Sequence, residues 1–170
     1  MKKLTLGAML TALAFALSFL ERLIPLELLL PIPGVKLGLA NTVSMFALLY
    51  LQLPAAFCIL LGRCILSFFL FGSFTSFCFS VTGGILSLMM MKLLLRFYPR
   101  RLSLPGLSMA GAAAHNCGQV LAAIVLLGRP EVIGYLAPLL VTAIPFGLIT
   151  GYLGVQLFTR LEQAKVLPLK

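Results

Sequence analysis

An all-α, polytopic integral membrane bundle of six transmembrane helices, forming one domain over residues 1–170, is the fold the sequence predicts. Three observations point to it. Of the residues, 61% are hydrophobic and only 10% are charged, against roughly 25% charged in an ordinary soluble domain. Apolar runs recur at a length that can cross a hydrocarbon core ~30 Å thick, which takes about 20 helical residues. Basic residues gather at the ends of those runs and not in a stripe along a polar helix. The formal net charge of +9 therefore reads as membrane topology, with no nucleic-acid partner. A span with its turn uses about 25–30 residues, so six consume the chain.

The charge-free runs place the spans in order. The first covers residues 4–24 and follows Lys2 and Lys3. Its apolar stretch continues through Phe19 and Leu20 without a polar region before a cleavage site, so it is expected to be a retained span and not a signal peptide. Pro25, Pro31 and Pro33 break the helix into a loop. The second span covers 35–53, and Pro54 starts the third, 54–71. The fourth covers 73–96, followed by the polar loop from Tyr98 to Gly106. The fifth covers 107–127, and Gly128-Arg129-Pro130 is a turn. The sixth covers 131–160, where Pro138 and Pro145 either kink the helix or separate a short surface turn from it.

With six spans and the N-terminus inside, nine of the 13 Lys and Arg fall inside, three (Arg22, Lys36, Arg129) fall outside, and Arg63 lies mid-span. That asymmetry predicts a multi-pass protein of the cytoplasmic membrane with both termini cytoplasmic. Cys58, Cys64, Cys78 and Cys117 all sit inside apolar runs without a CxxC pair. They read as small packing residues, not as disulfides or metal ligands.

Several residues carry candidate chemistry. Ala8, Ala12 and Ala16 form a smooth seam on the first helix, suited either to packing inside the bundle or to docking a separate membrane partner. Arg63 lies near the bilayer centre, where an arginine costs at least ~2.5 kcal/mol. It must face the interior and find an acceptor. Glu21, Glu27, Glu131 and Glu162 all sit near span ends, which leaves a carbonyl or a bound anion. His115, the sole histidine, and Gln119 share a face of the fifth helix, beside Asn116. They can be packing residues or polar contacts to a substrate. Of the small residues Ser73, Ser76, Ser80, Gly83, Gly84 and Ser87, most lie on one face of the fourth, either for close packing or as a cavity wall. Ser67 is one turn from Arg63. Lys36, ahead of the second helix, either snorkels to the surface or serves an anion at the helix N-terminus; Asn41 lies deeper. Lys36, Asn41, Arg63, Ser67, Ser76, Ser80, His115, Asn116 and Gln119 fall at mid-depth or in the outer half. A cavity collecting them, with two cations and no acid, would favour an anionic or strongly polar solute.

Absences narrow the function. GxxxxGK[ST], GxGxxG and HExxH do not occur. No Asp is present, so no aspartate pair can hold Mg²⁺ for diphosphate chemistry. No enzymatic activity, cofactor or metal site is expected.

The strings Gly34-Val35-Lys36-Leu37-Gly38-Leu39-Ala40-Asn41, Phe71-Gly72-Ser73 with Ser80-Val81-Thr82-Gly83-Gly84, and Ala114-His115-Asn116-Cys117-Gly118-Gln119 resemble, in order, the bacterial membrane family labelled both Gx transporter and heptaprenyl diphosphate synthase component I. That family is similar to the S-components of energy-coupling factor transporters. The resemblance implies about six helices, cytoplasmic termini, and an alanine seam (here Ala8, Ala12, Ala16) that docks a membrane coupling subunit. It implies solute capture from outside and ATP hydrolysis by separate ATPases. The other label implies an accessory subunit in isoprenoid or quinone metabolism.

Overall fold

The computed structural model describes residues 2–24 and 34–163. The proline loop with Glu27, and Lys165 and Lys170, lie outside the described residues. Among the described residues six α-helices follow one another: α1 (Lys2–Leu23), α2 (Leu39–Tyr50), α3 (Gln52–Phe71), α4 (Phe74–Leu94), α5 (Leu104–Leu127) and α6 (Leu136–Gln163). Short 3₁₀ turns occupy Leu95–Phe97 and Pro130–Tyr135, and no strand occurs among the described residues.

Five of the helical segments are long and apolar enough to cross a membrane, so the chain has the architecture of a multi-pass membrane protein. The second predicted span is the correction. α2 has 12 residues, or ~18 Å at 1.5 Å per residue, against a core of ~30 Å. The apolar run of 35–53 divides because the chain turns at Leu51–Gln52, where Gln52 has a φ of 73°. Pro54 falls inside the first turn of α3 rather than starting it, a place where its missing N–H costs nothing.

α2 is the centre of the bundle. It touches all five other helices and is buried from Thr42 to Leu48, as befits a helix apolar on every side. Met45 and Phe46 pack there with Ile59 and Leu60 of α3, Leu88 of α4 and Phe158 of α6. The remaining boundaries follow local chemistry. Ser73 and Ser103 cap α4 and α5, their hydroxyls accepting from the N–H groups of Ser76 at 3.2 Å and Gly106 at 3.3 Å. α5 therefore begins three residues before the predicted Leu107. Gly72 and Gly128 end α3 and α5 with φ near +60°, the left-handed conformation that glycine adopts without strain. Of the two alternatives for 131–160, the surface turn is realised at Pro130–Tyr135. Pro138 then falls in the first turn of α6, and Pro145 sits inside it.

Close backbone approach holds α4, α5 and α6 together. A Cβ on Gly118 would lie 2.6 Å from Gly83 Cα, and one on Gly147 would lie 2.6 Å from Met109 Cα. Lipid offers no hydrophobic drive between helices, so such small-residue crossings supply the packing that replaces it. Buried polar groups bridge the same interfaces. Asn116 Nδ2 donates to Leu139 O at 2.6 Å, and the Ser108 and Thr150 hydroxyls meet at 3.0 Å.

On α1, Leu10 and Ala14 are buried against the bundle. Ala8, Ala12 and Ala16 are exposed. The alanine seam is thus unused in internal packing.

Candidate ligand cavity

The functional candidates meet where α1 and α3 finish and α2 and α4 begin, at the end of the bundle away from the start of α1 and the end of α6. A cavity of about 430 Å³ opens there, lined among others by Ser18, Glu21, Arg22, Lys36, Asn41, Arg63, Ser67, Ser80 and His115. This size lies within the usual range for small-molecule sites, about 300–1,000 Å³.

Each helix delivers its polar residues by register. Arg63 and Ser67 are one turn apart on α3, and Ser18, Glu21 and Arg22 lie at i, i+3 and i+4 on α1. Arg63 is 6% exposed, which makes it a buried charge. Its Nη1 donates to Ser18 Oγ at 3.2 Å, and its Nε has no hydrogen-bond partner. Arg22 Nη2 donates to Ser76 Oγ at 3.0 Å, and its guanidinium lies 4.3 Å from the centre of the Phe71 ring. Glu21 Oε1 accepts from the N–H of Gly38 at 2.7 Å, placing a carboxylate at the positive end of α2. Lys36, ahead of α2, is held below the ordinary lysine range. Loss of hydration in the cavity wall is the main cause; Glu21 pushes it back up, and Arg63 and Arg22 push it further down.

Among the described residues, the expected pair of cations without an acid is therefore corrected to three cations and one carboxylate. The last turn of α1 stays helical through Leu23 and lies beside the segment leading into α2, which brings Glu21 and Arg22 to the wall. Their proximity to the span end concealed this. The i, i+3, i+4 spacing of Ser18, Glu21 and Arg22 was the signal for it.

Of the nine residues predicted to converge, Lys36, Asn41, Arg63, Ser67, Ser80 and His115 line the cavity. Ser76 stands beside it, bonded to Arg22. Asn116 points its amide to Leu139 of α6 instead. Gln119 is buried with Oε1 lacking a partner and is not among the lining residues. Gly83, Gly84 and Ser87 are buried, with Gly83 and Gly84 packed against His115 and Leu60. The lower part of the α4 small-residue face is thus a packing surface. No group of three or more His, Cys, Asp or Glu that could hold a metal occurs among the described residues.

Glu21 has a structural task that can be measured. Glu21→Gln keeps the acceptor for Gly38 N–H but removes the charge, and is expected to cost ~0.3–1 kcal/mol. Glu21→Ala also strands the donor and is expected to cost about 1–3 kcal/mol. Thermal unfolding of the two purified variants checks that order.

No curated protein and no solved structure matches the chain significantly. The family described as heptaprenyl diphosphate synthase component I matches residues 10–157, a stretch that contains all six helices in whole or in part and every residue named as lining the cavity. The chain belongs to the heptaprenyl diphosphate synthase component I family.

Proposed function

We propose that this protein is a membrane substrate-binding subunit, S-component-like, that captures a small anionic solute in the cavity between α1, α2, α3, α4 and α5 for uptake. It works with separate ATP-hydrolysing partners and a membrane coupling subunit, with both termini cytoplasmic and the cavity facing outward. The observation that carries this reading is Arg63. A buried arginine at this depth is costly, and among the described residues this one meets only a serine hydroxyl while its Nε is unpartnered. Among the described residues, two further cations share its cavity with a single carboxylate. An anionic group on the ligand would supply the missing acceptors, in charge-assisted hydrogen bonds. Asn41, Ser67, Ser80 and His115 would bond the rest of the solute, and Ser76 would steady Arg22. Asn116 and Gln119 would support the wall from behind.

The exposed seam of Ala8, Ala12 and Ala16 supports docking, since small side chains let a partner helix approach closely. Ala12→Leu is expected to abolish co-purification of the coupling subunit and ATPases from native membranes while leaving the thermal stability of the isolated protein within about 0.5 kcal/mol of wild type, as for exposed positions. Co-purification undiminished in Ala12→Leu would remove the seam from the account.

The family's name favours a second reading, an accessory subunit of a prenyl diphosphate synthase that binds a diphosphate through the same cations. Its dimensions limit that reading. A cavity of about 430 Å³, towards the low end of the roughly 300–1,000 Å³ usual for small-molecule sites, suits a diphosphate head group and not a chain of seven isoprene units. The tail would have to lie in the lipid. Affinity purification from native membranes separates the two. ATPases carrying a phosphate-binding loop support uptake, whereas a prenyl chain-elongating enzyme in their place overturns it.

A further inference from the structure

The last turn of α4 and the connection to α5 carry Lys92, Arg96, Arg100 and Arg101, all exposed. The sequence from Phe74 to Leu127 contains no acidic residue, so these charges have no carboxylate of their own stretch to pair with. The turn is nevertheless well anchored. Leu94, Leu95, Leu102 and Leu104 pack against the core. The N–H groups of Arg101 and Leu102 both donate to Phe97 O, at 2.8 and 3.2 Å. The Arg96 guanidinium lies 4.8 Å from the centre of the Phe97 ring, and that ring is itself 37% exposed. Both helices that the turn joins are long and apolar enough to cross a bilayer, which puts the turn at the depth of the lipid head groups.

We propose that this turn is a binding surface for anionic phospholipid head groups. Clustered basic residues at the end of a membrane helix are attracted to an anionic leaflet, each adding to the affinity. Guanidinium groups also pair with phosphate oxygens in two parallel hydrogen bonds. The backbone bonds within the turn fix its path, and the Arg96 guanidinium already rests on Phe97 before lipid arrives, which lowers the ordering cost of binding. The exposed Phe97 ring beside the charges suits the boundary between head group and acyl chain. An acidic protein segment would use the charges alone and leave that ring in water.

Native mass spectrometry of the detergent-purified protein, mixed with equal amounts of phosphatidylglycerol and phosphatidylcholine, tests this. Wild type is expected to retain phosphatidylglycerol at least tenfold over phosphatidylcholine, with the preference falling as salt rises. Replacing Lys92, Arg96, Arg100 and Arg101 by Gln should abolish the preference. Those charges also bias insertion, so the double variant Arg100→Gln/Arg101→Gln is measured alongside and should lower the preference several-fold with thermal stability unchanged. Equal retention of the two lipids by wild type would overturn the proposal, as would an undiminished preference in a folded double variant. Tight binding of polyglutamate by wild type without any lipid preference would assign the surface to an acidic protein and likewise overturn it.

Discussion

Arg63→Ala is expected to weaken binding of the anionic ligand by about 10- to 150-fold while leaving the protein folded and inserted. The figure follows from the ~1.5–3 kcal/mol carried by hydrogen bonds to charged groups, with every ~1.4 kcal/mol worth tenfold in affinity. The folding half of the expectation comes from the same geometry. In the described structure Arg63 forms one side-chain hydrogen bond, to Ser18, and leaves Nε without a partner. Removing it deletes a costly buried charge and forfeits little internal bonding, so thermal stability should hold or rise. Arg63→Lys restores a point charge without the planar fork, and should recover only part of the affinity. Isothermal titration with the identified ligand, beside thermal unfolding of each variant, separates the two halves. Affinity unchanged in Arg63→Ala would exclude the guanidinium from the site, and loss of fold would recast Arg63 as a structural residue.

The largest effect on stability is expected at the crossing of α4 and α5. A single methyl at position 118 would stand 2.6 Å from Gly83 Cα and 2.7 Å from Thr82 O, both backbone atoms that cannot rotate aside. Gly118→Ala is therefore expected to cost at least the ~1–3 kcal/mol typical of overpacking. The cost reaches the cavity, because a Cβ at Gly83 would lie 2.8 Å from His115 O: the contact that sets the helix spacing also sets where His115 stands. Ala16→Gly, on the exposed face of α1, is the control, expected to cost only the ~1 kcal/mol of helix propensity. Thermal unfolding in detergent reads both. Equal melting temperatures for Gly118→Ala and wild type would mean that the helices do not approach so closely.

How far the sequence carried the fold depends on which physical signal each element left. α1, α3, α4 and α5 were legible because their apolar runs end at charges, serine caps or glycines, all local features. The length of α2 was not. Hydropathy registers only that 37–53 is uncharged, whereas the turn at Leu51–Gln52 has neither glycine nor proline to mark it, and Pro54 drew the boundary two residues too late. The site shows the same division. Depth along each helix follows from spacing, which is why Lys36, Asn41, Arg63, Ser67, Ser80 and His115 were expected at one level and now line one cavity. Azimuth depends on which helices are neighbours. α5 is wedged between α4 and α6, and one residue turns a side chain about 100° around the helix. His115 therefore meets the cavity while Asn116 meets Leu139 of α6. Glu21 and Arg22 were read as span-end charges, and only the packing of α1 beside the start of α2 brought them to the wall.

The central claim is that this cavity holds a compact anion. Native mass spectrometry of wild-type protein released gently from its own membranes, with Arg63→Ala treated in parallel, tests it most directly. One small anionic molecule per wild-type chain is expected, identifiable by its mass after release and absent from Arg63→Ala. A wild-type spectrum showing only the bare chain, from a protein whose melting temperature no added phosphate, diphosphate or carboxylate raises, would contradict it.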